Sequence, residues 1–174
     1  MWYIGVHRYV CVIGPVVIKI PRVRLIHFFT LIFEDVIKYR KRFWLSWCFF
    51  KMIVLGGVME NMREAVCYLH TRHKLLARLY LPLIFVNIYH RENGVSNFTF
   101  GGDELTEKVY RTGDREYLKA LLPCSHTFDR KENFSYDGVR LKILDYGEKG
   151  FEHLLLDYGD RIEELLLSVA NQPT

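Results

Sequence analysis

The chain has 174 residues, half of them hydrophobic, and a formal net charge of +4, which excludes a disordered chain and suits one domain or two small lobes with a sizeable core. Its charge is unevenly spread: Arg8, Lys19, Arg22, Arg24, Lys38, Arg40, Lys41, Arg42 and Lys51 load the first third, whereas Glu148, Glu152, Asp157, Asp160, Glu163 and Glu164 make the tail acidic. Such asymmetry fits two ends that attract each other, or an oppositely charged partner, better than a nucleic-acid groove, and no aromatic and basic motif of a known nucleic-acid module occurs.

In chain order, Met1–Val10 lacks the basic region, apolar block and small-residue site of an export signal, so a cytoplasmic setting is expected. Residues 2–13 and 16–22 are β-rich runs broken by Gly14-Pro15, a turn pair, and should form an N-terminal antiparallel unit. From Phe28 to Ile53 the pattern is helical, with Lys38, Arg40, Lys41 and Arg42 grouped between aromatic patches. Phe43–Gly57 is strongly apolar but is only about fifteen residues long and contains Lys51. A span needs roughly twenty apolar residues, so a buried helix is expected there and no membrane span. Gly56-Gly57 punctuates the chain. Residues 58–80 then read as one long amphipathic helix with Met59, Met62, Val66 and Leu69 or His70 near one face, ended or bent by Pro82.

Residues 83–90 and 95–100 suit a hairpin turning at Asn93-Gly94, and Gly101-Gly102 closes a first lobe. Residues 103–122 are mostly helical, with Asp103 as N-cap and Glu107 in the first turn. The stretch from His126 to Gly147 places acids around a turn and a hydrophobic strand, and a last helix runs from Phe151 to Val169. The repeated Leu-Asp-Tyr-Gly at Leu144 and Leu156 is too short to mark an internal repeat.

Cys11, Cys48, Cys67 and Cys124 are scattered, with no paired spacing for zinc, and read as buried free thiols. His70, His73, His90 and His126 have no spacing that specifies a metal site. Ser125, His126 and Asp129 are too close in sequence for a hydrolase triad, and no Gly-x-Ser-x-Gly elbow exists.

Several motifs together carry a family resemblance. Val16–Pro21 contains Val-Val-Ile-Lys-Ile-Pro, Gly56–Ala65 places Glu60 and Glu64 on a helix, and His126–Asn133 holds an Asp and an Asn four apart. Val139–Gly147 is a strand running into Asp-Tyr-Gly. This order resembles the protein-kinase-like fold, in a reduced form similar to small phage and prophage kinase-like proteins. The resemblance implies an α+β chain with an N-terminal antiparallel sheet and helices in a lobe over residues 1–100. A small truncated C-terminal lobe would follow over 101–174, the two forming one compact unit.

By the same resemblance, Lys19 would grip phosphate and Glu64, or Glu60 as second choice, would hold the lysine stem. Asp129 would stand at the catalytic-base position, with Asn133 and Asp145 as metal ligands. The chemistry needs those types: a triphosphate demands a positioned cation, magnesium demands hard oxygen ligands, and an acceptor hydroxyl needs a carboxylate to aim it.

The departures from the family pattern are specific. No glycine-rich loop precedes Lys19, Asp129 and Asn133 stand one residue closer than the pattern has them, and no Ala-Pro-Glu segment follows Gly147. The expected function is therefore that of a degenerate kinase-like protein without a cofactor. It would be phage or mobile-element encoded and would bind and inhibit a host or defence complex in the manner of an anti-CRISPR. Lys38, Arg40, Lys41 and Arg42, or the acidic terminal helix, would form the interaction face. The alternative is a small phosphotransferase binding ATP and magnesium and acting on a small molecule or on itself.

Overall fold

The computed structural model describes residues 1–5, 7–34, 50–83, 85–92, 102–130 and 133–170. Its architecture is α+β. A five-stranded antiparallel sheet runs in the order β1, β2, β3, β5, β4, formed by Trp2–Ile4, Arg8–Ile13, Val16–Pro21, Asn87–His90 and Leu79–Pro82 respectively. A separate hairpin pairs β6 (Phe134–Tyr136) with β7 (Leu141–Ile143).

The helices are α1 (Leu25–Ile32), α2 (Gly56–Thr71), α3 (Gly102–Arg111), α4 (Arg115–Leu121), α5 (Ser125–Phe128) and α6 (Phe151–Ala170). One contiguous core joins both halves of the chain, from Cys67, Leu75, Leu76 and Tyr89 to Leu105, Phe128, Ile143, Tyr146, Phe151 and Leu166. A smaller cluster of Phe28, Ile53 and Val54 lies under α1.

The N-terminal β-rich run folds as two strands rather than one. Gly5 N–H donates to the Arg8 carbonyl at 2.8 Å, closing a turn that returns β1 onto β2. Gly14, at a φ of +54°, makes the expected turn between β2 and β3. Of the helix read over Phe28–Ile53, the described parts are α1, which begins three residues earlier, and a helical stretch at 50–53. The remainder lies outside the described residues.

Gly56 and Gly57 do not separate elements; they are the first two residues of α2. The helix read over 58–80 ends at Thr71, where Arg72 adopts a left-handed φ of +44° and donates its N–H to the Tyr68 carbonyl. Leu75, Leu76 and Ala77 are then buried consecutively, an enclosure on all sides that one face of a surface helix cannot supply. Leu76 bridges to Ile143 in parallel and the chain enters β4. A short apolar run cannot be assigned to helix or strand by periodicity alone, and tertiary burial decided it here.

Of the hairpin strand read over 83–90, residues 87–90 form β5, which pairs with β3 and β4, while its read partner at 95–100 and the Asn93-Gly94 turn lie outside the described residues. The helix read over 103–122 is two helices. Gly113 takes a φ of +74° between them, and Asp114 caps α4 by accepting the Tyr117 N–H at 3.0 Å. Asp103 is the second residue of α3 rather than its N-cap. The last helix runs to Ala170, one residue beyond its expected end.

Among the described residues, the acidic tail meets basic residues at and just beyond the C-terminal end of α2. Glu152 contacts His70, Asp160 approaches His73 at 3.7 Å and Glu163 pairs with Lys74 at 2.7 Å. Among the described residues, no helix is long and apolar enough to cross a membrane.

Candidate functional site

Sheet register builds the site. Val10 stands opposite Lys19, and Lys19 stands opposite Asn87. Strand side chains alternate between faces, so Arg8, two residues before Val10, and Tyr89, two after Asn87, share the face of Lys19. Across this face lies α2, which turns inward Gly57, Asn61, Glu64 and Cys67, positions three or four apart. Gly57 allows the approach: a Cβ there would stand 2.1 Å from the His7 carbonyl oxygen and 3.1 Å from Pro21 Cα.

At the centre is Glu64, with no solvent exposure. Lys19 Nζ donates to Glu64 Oε1 at 2.8 Å and to the Leu144 carbonyl at 2.7 Å, and it stands 4.7 Å from the Tyr89 ring centre. The other oxygen, Oε2, accepts the Tyr89 hydroxyl and lies 2.8 Å from Arg8 Nη1. The Arg8 guanidinium bridges three carboxylates, with Nε 3.1 Å from Glu60 Oε2 and Nη2 2.6 Å from Asp145 Oδ1. Asn61 donates to the Lys19 carbonyl and Asn87 to the Asn61 carbonyl, tying helix to sheet beneath the charges.

Three carboxylates thus face two cations. Burial alone would raise the Asp145 carboxyl, but Arg8 and then Lys19 overcome it and hold it well below the ordinary range. Burial raises Glu60 against the pull of Arg8. Burial and then the negative charge of Glu64 push the Tyr89 phenol well above its usual value, so it remains a donor. For Arg8, burial opposes the charge, yet Glu64, Asp145 and Glu60 together raise it further and fix it as a cation.

Lys19, Glu64 and Asp145 therefore come together, with Glu60 at the edge of the same network. Asp129 and Asn133 serve elsewhere. Asp129 is exposed at the end of α5, 3.6 Å from His126 Nδ1. Asn133 donates its side-chain amide to the Thr127 carbonyl at 2.9 Å, and its own carbonyl accepts the Leu144 N–H. The half-buried carboxylate of Glu148 accepts the Thr127 N–H and completes this local frame. Lys38, Arg40, Lys41 and Arg42 lie outside the described residues.

Arg8 and Tyr89 are the members that motif reading misses. Both were recoverable in principle from strand alternation once the β2–β3–β5 register is known, because each sits in phase with Lys19. No motif names them, and the partner strands are far apart in sequence.

A second cluster joins His73, Asp160 and Glu163, whose ligand atoms lie within 4.8 Å of one another. Its donors are already engaged. His73 Nδ1 accepts the Leu75 N–H at 3.2 Å, which places the proton of the neutral ring on Nε2, the atom facing Asp160, and Lys74 holds Glu163 at 2.7 Å. A cavity of about 390 Å³ adjoins it, lined by Thr71, His73, Leu155, Asp160 and Arg161 among others. Another of about 190 Å³ lies between His90, Arg91, Ser135, Arg140 and Lys142. Neither is lined by Lys19, Glu64 or Asp145.

Comparison of this chain with protein-family models, with curated proteins and with solved structures finds no match.

Proposed function

We propose that this protein is a reduced, catalytically degenerate kinase-like scaffold that acts by binding another protein rather than by transferring phosphate. The observation that carries the reading is Arg8 Nη2 on Asp145 Oδ1 at 2.6 Å. In a kinase-like site that aspartate would offer its oxygens to magnesium. Here a guanidinium fixed by three carboxylates takes the place of the divalent ion, and it brings no phosphate with it.

Lys19 Nζ is likewise engaged, donating to both Glu64 Oε1 and the Leu144 carbonyl. Asn133 gives its amide to Thr127, and Asp129 stands with His126 at the surface. In this reading the cluster is a polar rivet between α2 and the sheet, and the protein, encoded by a phage or mobile element, binds and inhibits a host or defence complex. The alternative, a small ATP- and magnesium-dependent phosphotransferase, draws on Lys19, Glu64 and Asp145 lying in one network, and it requires Arg8 to release Asp145.

A thermal-unfolding titration with ATP and magnesium separates them. The scaffold reading expects no stabilisation of the wild type. Stabilisation approaching about 2.7 kcal/mol at a hundredfold excess over the dissociation constant, lost in Asp145→Ala, would overturn it in favour of the nucleotide reading.

A further inference from the structure

The five-stranded sheet treats its two edges differently. At one edge β4 carries Pro82, and its pairing with β5 shifts register between Leu79 and Leu81. Proline and irregular pairing keep an edge from accepting another strand. At the other edge β1, Trp2–Ile4, has no proline, no charged side chain and no shift in its register with β2. Among the described residues no strand pairs with its outer side.

The hydrogen bonds determine which backbone groups this edge offers. Met1 exchanges both of its bonds with Val12, at 3.0 and 2.9 Å, and Gly5 N–H donates to the Arg8 carbonyl at 2.8 Å. Backbone groups alternate along a strand, so Met1, Tyr3 and Gly5 face β2, and the N–H and C=O of Trp2 and Ile4 point outward. The side chains are equally open: Met1 is 76% exposed, Trp2 64%, Tyr3 52% and Ile4 70%. Trp2 and Ile4 stand on one face of the sheet, in register with Cys11 and Tyr9, and Tyr3 stands on the other. None of the four belongs to either hydrophobic cluster.

We infer that β1 is a homodimer interface, pairing antiparallel with β1 of a second copy of this chain about a two-fold axis at Tyr3. In that register Trp2 of each copy lies opposite Ile4 of the other and the two exchange both backbone bonds, which satisfies every outward group of the strand. Trp2 packs beside Ile4 on one face. On the other face the two Tyr3 side chains meet in the closer, non-hydrogen-bonded pairing. Uncharged side chains oppose each other at every position, and the two-fold arrangement asks for no sequence other than the strand's own. Two aromatic side chains per copy, each with roughly 150–250 Å² to bury, together with Met1 and Ile4, bring the contact to on the order of 1,000 Å², where specific interfaces begin. The product is a reversible dimer in which two five-stranded sheets run as one. It extends beyond the scaffold reading and uses none of the residues around Glu64.

The test is sedimentation equilibrium of the full chain across the micromolar range, where a monomer–dimer equilibrium is expected. Ile4→Pro removes an N–H aimed at the other copy and leaves in place the β1–β2 bonds made by Met1, Tyr3 and Gly5. It should raise the dissociation constant about tenfold or more. Trp2→Glu and Ile4→Lys should each weaken the dimer alone and recover a one-to-one pair when mixed, since residue 2 of one copy faces residue 4 of the other. Circular dichroism reports the folding of each variant, and the charge variants serve if Ile4→Pro does not fold.

Three outcomes overturn the proposal. One is a wild type that stays monomeric throughout. Another is a dimer that the folded Ile4→Pro and charge variants leave unchanged, which would place the contact on a different surface. The third is a pair of charge variants that weaken the dimer but do not recover it on mixing, which would exclude the two-fold register at Tyr3.

Discussion

Glu64 sits wholly out of solvent with Arg8, Lys19 and Tyr89 directed at its two oxygens. Removing one member of such a set leaves the others charged and unsatisfied, which costs about 3–5 kcal/mol. Glu64→Ala is expected to lose about that much in urea unfolding. Lys19→Met with Glu64→Leu should lose less than the sum of the two single changes, because the double change removes both members of that pair and leaves Arg8 with Asp145 and Glu60.

Asp145 gives the network a pH signature. Its folded carboxyl titrates below its unfolded one, opposed by burial but held down by Arg8 and Lys19. Its contribution is therefore complete above the ordinary carboxyl range, near pH 4, and is lost as pH falls through the depressed folded value. The stability gap between wild type and Asp145→Asn should narrow as urea unfolding is moved from about pH 5 to about pH 3. A gap that widened would mean that Asp145 is not held charged by Arg8. Glu60, raised chiefly by burial and in part by Asp145 itself, acts in the opposite sense and gains on protonation.

At the scale of the element, α2 shows why a hydrophobic pattern reads a polar rivet poorly. The apolar positions Met62 and Leu69 are 46% and 49% exposed, whereas the buried stripe is Gly57, Asn61, Glu64 and Cys67. Periodicity identified the helix but chose the wrong face, because the inward face bonds to a sheet face lined with Arg8 of β2, Lys19 of β3 and Asn87 of β5. Lys19, Glu64 and Asp145 were legible because their residue types and order follow a motif. Arg8 was not, since its role depends on the β2–β3 register.

The two glycines that open α2 separate packing from propensity. A Cβ on Gly57 meets backbone atoms of His7 and Pro21 that cannot step aside, whereas on Gly56 it meets the His7 ring at 3.0 Å, a side chain that can. Gly57→Ala is expected to cost at least about 1–3 kcal/mol through overpacking, and Gly56→Ala a fraction of that, with thermal or urea unfolding as the measure. The C-terminal end of α2 has its own pH response. His73 is pushed below its usual pKa by burial, against the pull of Glu163 and Asp160 and with Lys74 also lowering it. As pH falls below about 6.5 the unfolded chain takes up this proton first, so stability declines there. His73→Gln should flatten the decline between about pH 7 and pH 5.

For the whole molecule, the sequence-level division at residue 100 marks a change of architecture but not of core. Strand and helix classes were readable along much of the chain, since their periods are local. The placement of β5 between β3 and β4, and of Leu76 beside Ile143 of β7, was not, because those choices are made by burial between segments up to about seventy residues apart. The final helix closes that shared core with Phe151, Leu154, Leu155, Ile162 and Leu166, each at most 3% exposed. At about 1.5–3 kcal/mol for each buried large side chain, their removal withdraws roughly 8–15 kcal/mol, as much as the whole net stability of a typical domain. A chain ending at Lys149 is therefore expected to lack a cooperative unfolding transition in circular dichroism, although it retains the complete five-stranded sheet and the network around Glu64. The intact chain should lose its sheet signal and its α6 contacts in one transition, since both rest on the same residues. A truncated chain that unfolded cooperatively would show instead that the sheet and α2, riveted through Arg8, Lys19 and Glu64, are stable without the core they share with α6.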